Sequence, residues 1–388
     1  MVEEASTRGE KRKSWLDIGS ECPSYHFRVY FLVLLVMALL VFYYVNLSEV
    51  SEIWMSTIQI LYNATITRGA SNITFNTTSP LWTTTAIASV SDPSALSSQL
   101  TSVSVTEPCK PATPYHVAYP CSYRYIFNEP ERCRKENPFL VLMVPVAPGN
   151  REARDVVRST WGTEKVVMDK VVSLFFLLGD VSPEARNEQQ KNVSQESEEY
   201  HDIVQSDFLD TYTNLTIKTM VIMEWLASHC RNASYAMKID SDMFLNVNTL
   251  MNKLLQAPRQ TYITGLVASS GMVLRDPHSK WYLPKDIFPE DYYPPYALGL
   301  GYVFSLDMPE KFIEGAKHVK AVYIEDVYLG LCMRYLGMPF TNSPGDLFHV
   351  VPVPYDRCRY SKLIATTTRN IQEQINSWKD LMQPGPPC

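Results

Sequence analysis

Tyr235-Ala236-Met237-Lys238-Ile239-Asp240-Ser241-Asp242-Met243-Phe244 is the stretch whose reading decides the fold. Its first five residues form a short apolar run with a single charge, as expected of a strand buried on both faces. Two carboxylates, two residues apart, follow at once. In open α/β sheets ligands bind at the carboxyl ends of the strands, which is where this pair falls. Asp-x-Asp at such a place can offer oxygen ligands to Mg²⁺ or Mn²⁺, with a nucleotide's phosphates completing the shell. The competing reading is a helix cap or a solvated loop.

Outward from this strand, apolar runs and helical patterns alternate. Upstream, Phe139 to Val146 is nearly continuous in apolar residues and reads as another buried strand. Pro148-Gly149 then makes a turn, and Asn150 can cap a helix from Arg151 to Trp161, ended by Gly162. Val171 to Leu178 is a further buried strand, closed by Gly179. The acidic stretch Glu196–Glu199 suggests an exposed helix, and Ile203-Val204 a short strand. A long helix from Asn214 to Cys230 leads into the quoted strand, and residues 248–256 form a helix ended before Pro258. The segment from Trp281 to Tyr302 carries Pro284, Pro289, Pro294 and Pro295 and reads as an aromatic loop, a common place for substrate contacts. This order predicts an α/β domain with a mainly parallel sheet.

A second acidic cluster, Glu325-Asp326 in Ile324 to Gly330, opens a helix. Acid there complements the helix dipole, or serves as a general base held at the ligand edge of the sheet. Arg154 and Arg158 lie four apart on one helical face, as surface ion-pair partners or as the lining of an anionic site; spacing favours the surface. Gly299 and Gly301 are too few for a phosphate cradle and suit close backbone approach at the start of a strand.

The chain has 388 residues, 46% of them hydrophobic, and a formal charge of −6. That balance argues against a general nucleic-acid surface. Residues 29–45 contain no charge, Gly or Pro. As a helix they extend roughly 26 Å, enough for a thin bilayer. Arg8, Lys11, Arg12, Lys13 and Arg28 precede this run and no base follows it until Arg68, so the N-terminus is expected in the cytosol. A cleaved signal peptide is the alternative, but no small-x-small site follows. The expected plan is a cytoplasmic tail (1–28), a transmembrane signal-anchor (29–47), a Ser/Thr-rich stem (48–120) and a luminal domain (121–388). N-x-Ser/Thr sequons at Asn63, Asn72, Asn76, Asn192, Asn214 and Asn232 suit a luminal, glycosylated chain. Of eight cysteines, Cys22 precedes the span. Cys109, Cys121, Cys133, Cys230, Cys332, Cys358 and Cys388 follow it, where disulfides are expected with one cysteine left over.

Several of these pieces occur together in a known order. They are Arg154-x-x-x-Arg158-x-Thr160-Trp161-Gly162, Phe175 to Gly179, Tyr200-His201-Asp202-Ile203, Asp210-Thr211-Tyr212-x-Asn214-Leu215-Thr216-x-Lys218, Lys238-x-Asp240-Ser241-Asp242, Tyr293-Pro294-Pro295-Tyr296 and Glu325-Asp326-Val327-Tyr328-x-Gly330. In that order the chain resembles the β-1,3-galactosyltransferases, within the wider β-1,3-glycosyltransferases, over about residues 120–382. The resemblance implies a GT-A fold, a UDP-sugar donor, Mn²⁺ (or Mg²⁺) dependence, inversion at the anomeric carbon and a Golgi membrane location. It implies a glycan acceptor on glycoprotein or glycolipid, terminal N-acetylglucosamine foremost, and allows a homodimer. Asp-Ser-Asp and Glu-Asp-Val favour UDP-galactose over the UDP-N-acetylglucosamine of related enzymes. Carried onto this chain, Asp326 is the expected base and Asp240, Asp242 and His349 the expected metal ligands. Arg154, Arg158, Lys238, Asp240 and Ser241 are expected around the nucleotide. Two departures stand out: Ala297-Leu298-Gly299-Leu300-Gly301-Tyr302 lacks the family's usual cysteine, and Phe348-His349-Val350 replaces Asn-His-Trp. An inactive, membrane-anchored glycan-binding protein is the reading from another functional class.

Overall fold

The computed structural model describes residues 110–182, 186–341 and 346–388. The tail, the span at 29–47, most of the stem and the sequons at Asn63, Asn72 and Asn76 lie outside them. Among the described residues no helix is long and apolar enough to cross a membrane.

The elements run β1 (Tyr125–Phe127), α1 (Arg132–Glu136), β2 (Leu140–Pro145), α2 (Arg151–Ser159), β3 (Val166–Val167), β4 (Lys170–Asp180), α3 (Arg186–Tyr200), β5 (Ile203–Leu209), α4 (Leu215–His229) and β6 (Tyr235–Ile239). They continue with β7 (Met243–Leu245), α5 (Val247–Leu254), β8 (Ile263–Ala268), β9 (Tyr296–Ser305), α6 (Met308–Ala316), α7 (Glu325–Tyr335), β10 (Phe348–His349), α8 (Arg357–Tyr360), β11 (Ala365–Thr367) and α9 (Ile371–Leu381).

The main sheet has the order β1-β5-β4-β2-β6-β9-β8, with β3 paired to β4. Its centre is parallel, through β5-β4, β4-β2 and β2-β6. Its flanks are antiparallel, through β1-β5, β6-β9 and β8-β9. The sheet is therefore mixed, which corrects the expectation of a mainly parallel one. Antiparallel β9 comes from the segment read as loop: its proline-rich part ends at Pro295, and from Tyr296 onward the chain is strand. After β2 the chain winds toward β4 and β5, then returns to place β6 on the other side of β2. Strand order reverses there, and such a switch point opens a crevice at the carboxyl ends of the two strands. In register Lys238 pairs with Met143 on β2 and Tyr302 on β9.

Helix α4 is apolar nearly all round, and a helix of that pattern belongs in a core. Ile217, Met220, Val221, Met223, Trp225 and Leu226 pack with Val141, Met143, Phe175 and Leu177 of the sheet and with Tyr328 and Cys332 of α7. The Trp225 and Phe175 rings lie 4.7 Å apart. Cys133–Cys230 links α1 to the end of α4, Cys358–Cys388 closes the C-terminus, and Cys332 is free and buried. A second sheet, β10-β11-β7, carries the residues that follow Asp242. Residues at the end of the expected stem already pack on this domain. Val117 N donates to Ala321 O at 2.9 Å, and the Tyr119 hydroxyl donates to Glu224 at 2.7 Å.

Two of the three described sequons, Asn192 and Asn232, are exposed. The third, Asn214, is half-buried and its Thr216 fully buried. Asn214 Nδ2 donates to Leu209 O at 2.9 Å, and buried Thr216 donates to Val322 O at 2.7 Å.

Candidate active site

The end of β6 delivers Lys238 into the sheet and Asp240 just beyond it. Lys238 is buried, and its ammonium lies 2.7 Å from Asp240 Oδ1 and 4.0 Å from Glu325 Oε2, and donates to the Gly299 carbonyl. Burial opposes the charged lysine, but Asp240, Glu325 and Asp326 outweigh it and raise its pKa. Lys238 thus sits between both acidic motifs.

Helix α7 opens on Glu325 and Asp326, so both carboxylates stand at its first turn. Glu325 Oε1 accepts from Tyr302 Oη at 2.6 Å and from Thr219 Oγ1 at 3.0 Å. Burial, helped by the Asp326 charge, raises the Glu325 carboxyl to about 7 against the pull of Lys238. Asp326 accepts from Gly299 N at 3.0 Å and from Val327 N at 2.8 Å, and it remains partly open to solvent. Loss of water raises its pKa, and those two amides work the other way. A carboxylate held this way is a stronger proton acceptor than a solvated aspartate.

The Asp240-Ser241-Asp242 loop is fixed from behind by the C-terminus. Gln374 Nε2 donates to Ser241 O at 3.2 Å, and Thr368 Oγ1 donates to Asp242 O at 2.7 Å. Sequence reading missed both residues, because a side chain bonding the backbone of a loop more than a hundred positions away leaves no local pattern. Asp242 reaches solvent, yet loss of water and then the Asp240 charge raise its carboxyl.

Lys218 is a second buried cation at the sheet's ligand edge. Its ammonium donates to Val146 O at 3.0 Å, just past β2, and to Asp210 Oδ2 at 2.7 Å. Asp210 Oδ2 also takes Gly179 N at 2.8 Å, near the end of β4. Burial lowers the Lys218 pKa, and Asp210 opposes that.

Arg154 and Arg158 belong to a different constellation, which corrects the expectation of a surface pair. Arg154 is 1% exposed, and so is Glu196, which was expected on an exposed helix face. Arg154 Nε and Nη2 grip Glu196 at 2.7 and 2.6 Å, while Nη1 and Nη2 donate to Ala147 O and Pro148 O at 2.9 and 3.1 Å. Arg158 donates to Asp202 at 2.9 and 2.7 Å, and its guanidinium lies 3.9 Å from the Tyr200 ring centroid. Their hydrogen-bonding capacity is largely spent inside the protein, and Arg154 shapes the turn after β2 from beneath.

His349 lies on β10. Its row runs across Thr366 of β11 to Phe244 of β7, so two strand spacings, roughly 10 Å, separate it from the strand that follows Asp242. Its Nε2 lies 3.2 Å from Asp346 O, and burial lowers its pKa. Among the described residues no three His, Cys, Asp or Glu side chains are grouped closely enough to hold a metal ion. Asp240 and Asp242 suit a hard cation that draws its remaining oxygen ligands from a bound phosphate. His349 is not brought into that pair.

The family model for galactosyltransferases matches residues 152–344, which include Arg154, Arg158, Asp210, Lys218, Lys238, Asp240, Asp242, Glu325 and Asp326 but not His349. "Beta-1,3-galactosyltransferase 2" of Homo sapiens is 41% identical over 271 residues, covering 68% of this chain and 64% of that protein. "Beta-1,3-galactosyltransferase 1" of Mus musculus is 40% identical over 266 residues, covering 68% of this chain and 79% of that one. The match thus spans less than two thirds of the first relative and most of the second. On this likeness, and on acidic motifs placed together at the switch point of the sheet, the chain belongs to the galactosyltransferase family.

Proposed function

We propose that the chain is a β-1,3-galactosyltransferase. It moves galactose from UDP-galactose, with inversion, to a terminal sugar of a glycoprotein or glycolipid, N-acetylglucosamine foremost. It does so as a type II single-pass protein of the Golgi membrane with its catalytic domain in the lumen. One observation carries the reading: Asp326, with its pKa raised and fixed by two amides, shares a single crevice with the Asp240-Ser241-Asp242 loop through Lys238. The mixed sheet with an acidic loop at its switch point agrees with a GT-A architecture.

The residues divide the work. Asp326 takes the proton of the acceptor hydroxyl as that oxygen bonds to the anomeric carbon. The bond from that carbon to the donor phosphate breaks on the opposite face, and its electron pair leaves with UDP. One carboxylate suffices, because inversion needs no covalent sugar–enzyme intermediate. Mn²⁺ or Mg²⁺, held by Asp242 with Asp240, would act as a Lewis acid offsetting charge on the diphosphate. Lys238 neutralises Asp240 and, with burial keeping a proton on Glu325, lets the acidic crevice form without expelling its own helix.

Transfer from UDP-galactose and from UDP-N-acetylglucosamine to β-linked N-acetylglucosaminides and galactosides, with linkage analysis, tests the proposal. Galactose in β-1,3 linkage supports it. Transfer of N-acetylglucosamine points to the sister activity, and binding without turnover to an inactive glycan-binding protein. Asp326→Asn is expected to lower transfer about 10²- to 10⁴-fold while keeping UDP binding. Full activity in that variant rules out Asp326 as the base.

A further inference from the structure

The chain between β8 and β9 leaves the sheet and returns, and it carries three of the described exposed large hydrophobics: Met272, Trp281 and Tyr292. Trp281 is 45% exposed, and Tyr212, in the turn between β5 and α4, is 46% exposed. The two are not scattered. The Lys280 ammonium lies 4.5 Å from the Trp281 ring centroid and 5.7 Å from that of Tyr212, so one cation touches both rings. The excursion is pinned to the catalytic helix: Tyr323 Oη donates to Lys280 O at 3.1 Å and to Tyr282 O at 2.7 Å. Tyr323 precedes Asp326 by three residues. The rings therefore stand beside the first turn of α7.

We propose that Trp281 and Tyr212 form the platform on which the acceptor's pyranose ring stacks, with Lys280 donating to its hydroxyls. A sugar ring presents a face of C–H groups and a rim of hydroxyls, and exposed aromatic faces beside a hydrogen-bond donor complement both. Burial raises the Tyr212 phenol and the Asp326 charge raises it further, so the ring is within electrostatic reach of the base. A sugar stacked there would bring a hydroxyl toward Asp326. Exposed aromatics on a flexible loop would be a poor binding site, but Arg275 holds this one. Its guanidinium donates to Phe288 O at 2.8 Å and Glu290 O at 2.6 Å, closing the excursion on itself.

This assignment rests on the proposed transfer activity for its role, but not for its test. The full chain in detergent is compared with Trp281→Ala, Trp281→Phe and Tyr212→Ala. The measurements are acceptor KM, donor KM, acceptor-free hydrolysis of UDP-galactose, and saturation transfer from the protein to methyl β-N-acetylglucosaminide and methyl β-galactoside. Trp281→Ala is expected to raise acceptor KM at least about tenfold. It should abolish saturation transfer to the preferred glycoside and leave donor KM and hydrolysis within about twofold, while Trp281→Phe recovers most of the loss. Unchanged acceptor KM and glycoside binding in Trp281→Ala overturns the platform. So does a parallel fall in donor hydrolysis, which marks a merely structural residue. A wild-type chain that binds a glycoside through Trp281 yet neither hydrolyses nor transfers sinks the transferase reading and leaves the platform standing.

Discussion

The main-chain N–H of Gly299 donates to Asp326 Oδ2 at 3.0 Å, and the carbonyl of the same residue accepts from Lys238 Nζ. One glycine of an antiparallel strand therefore holds both the expected base and the lysine that neutralises the acidic crevice. Only an absent side chain allows this. A Cβ at position 299 would lie 2.7 Å from Glu325 Oε2, closer than real Cβ contacts.

Gly299→Ala is accordingly expected to push Glu325 and the first turn of α7 outward. Transfer should fall at least about tenfold, mainly in kcat, because the base moves while the nucleotide loop does not. Stability should drop by about 1–3 kcal/mol, the usual cost of overpacking. Steady-state kinetics and urea denaturation check both. Wild-type kcat in a normally folded variant would show that this peptide does not position Asp326.

Arg154→Lys separates a structural arginine from a nucleotide ligand. Lysine cannot reproduce the two-pronged grip on Glu196 and also reach Ala147 O and Pro148 O. Glu196 then keeps only Arg158, 2.8 Å from its Oε1, as a close guanidinium partner. A loss of about 2–4 kcal/mol is expected in denaturant unfolding. Donor KM should stay within about threefold, since the turn is supported rather than replaced. A large rise in donor KM with unchanged stability would instead place Arg154 against the nucleotide.

Sequence patterns made the central strands legible because each is buried on both faces and reads as an unbroken apolar run. Tyr235–Ile239 has the bounds its pattern gives, and the acidic residues fall just past it, where the switch point later proved to be. Asp326 was legible as a residue but not as a neighbour of Asp240, since Lys238 and Gly299 join them through contacts 61 and 27 positions apart. The antiparallel flank was only partly legible: Gly299 and Gly301 read as a strand start, but the prolines before Tyr296 hid where that strand begins, and nothing local gives its direction. Arg154 and Arg158 were misplaced for a different reason. A four-residue spacing says two side chains share a helical face, and it cannot say whether that face meets water or a carboxylate on another helix.

Lys218 and Asp210 offer a test of the clamp on β2 and β4. Lys218→Met removes the ammonium but leaves the Asp210 carboxylate buried and Val146 O unpaired, so it should cost about 3–5 kcal/mol. Asp210→Asn keeps an acceptor for Gly179 N and removes the charge. The double variant should be more stable than the sum of the single losses predicts, a coupling of about 1–3 kcal/mol read from a double-mutant cycle. Strict additivity would mean that the two side chains do not share one interaction.

Glu325 gives a stability profile with a defined sign. Its carboxyl rises from 4.5 to about 7 in the folded chain, through burial first and the Asp326 charge after it, while Lys238 and the Tyr302 hydroxyl oppose the rise. Between those two values the native state holds a proton that the unfolded chain has released. Stability from this group is then fully present below about 4.5, falls as pH climbs toward 7, and is flat above. Glu325→Gln keeps an oxygen for Tyr302 and Thr219 and has no proton to lose. The stability of the glutamine variant relative to wild type should therefore increase from pH 5 to pH 8, by at most about 3 kcal/mol. Lys238 limits the gain, because the neutral amide no longer offsets its charge. Urea denaturation of both chains at several pH values across this window decides the matter: curves that run parallel throughout would mean that Glu325 is ionised in the fold at every pH and that Lys238, not burial, governs it.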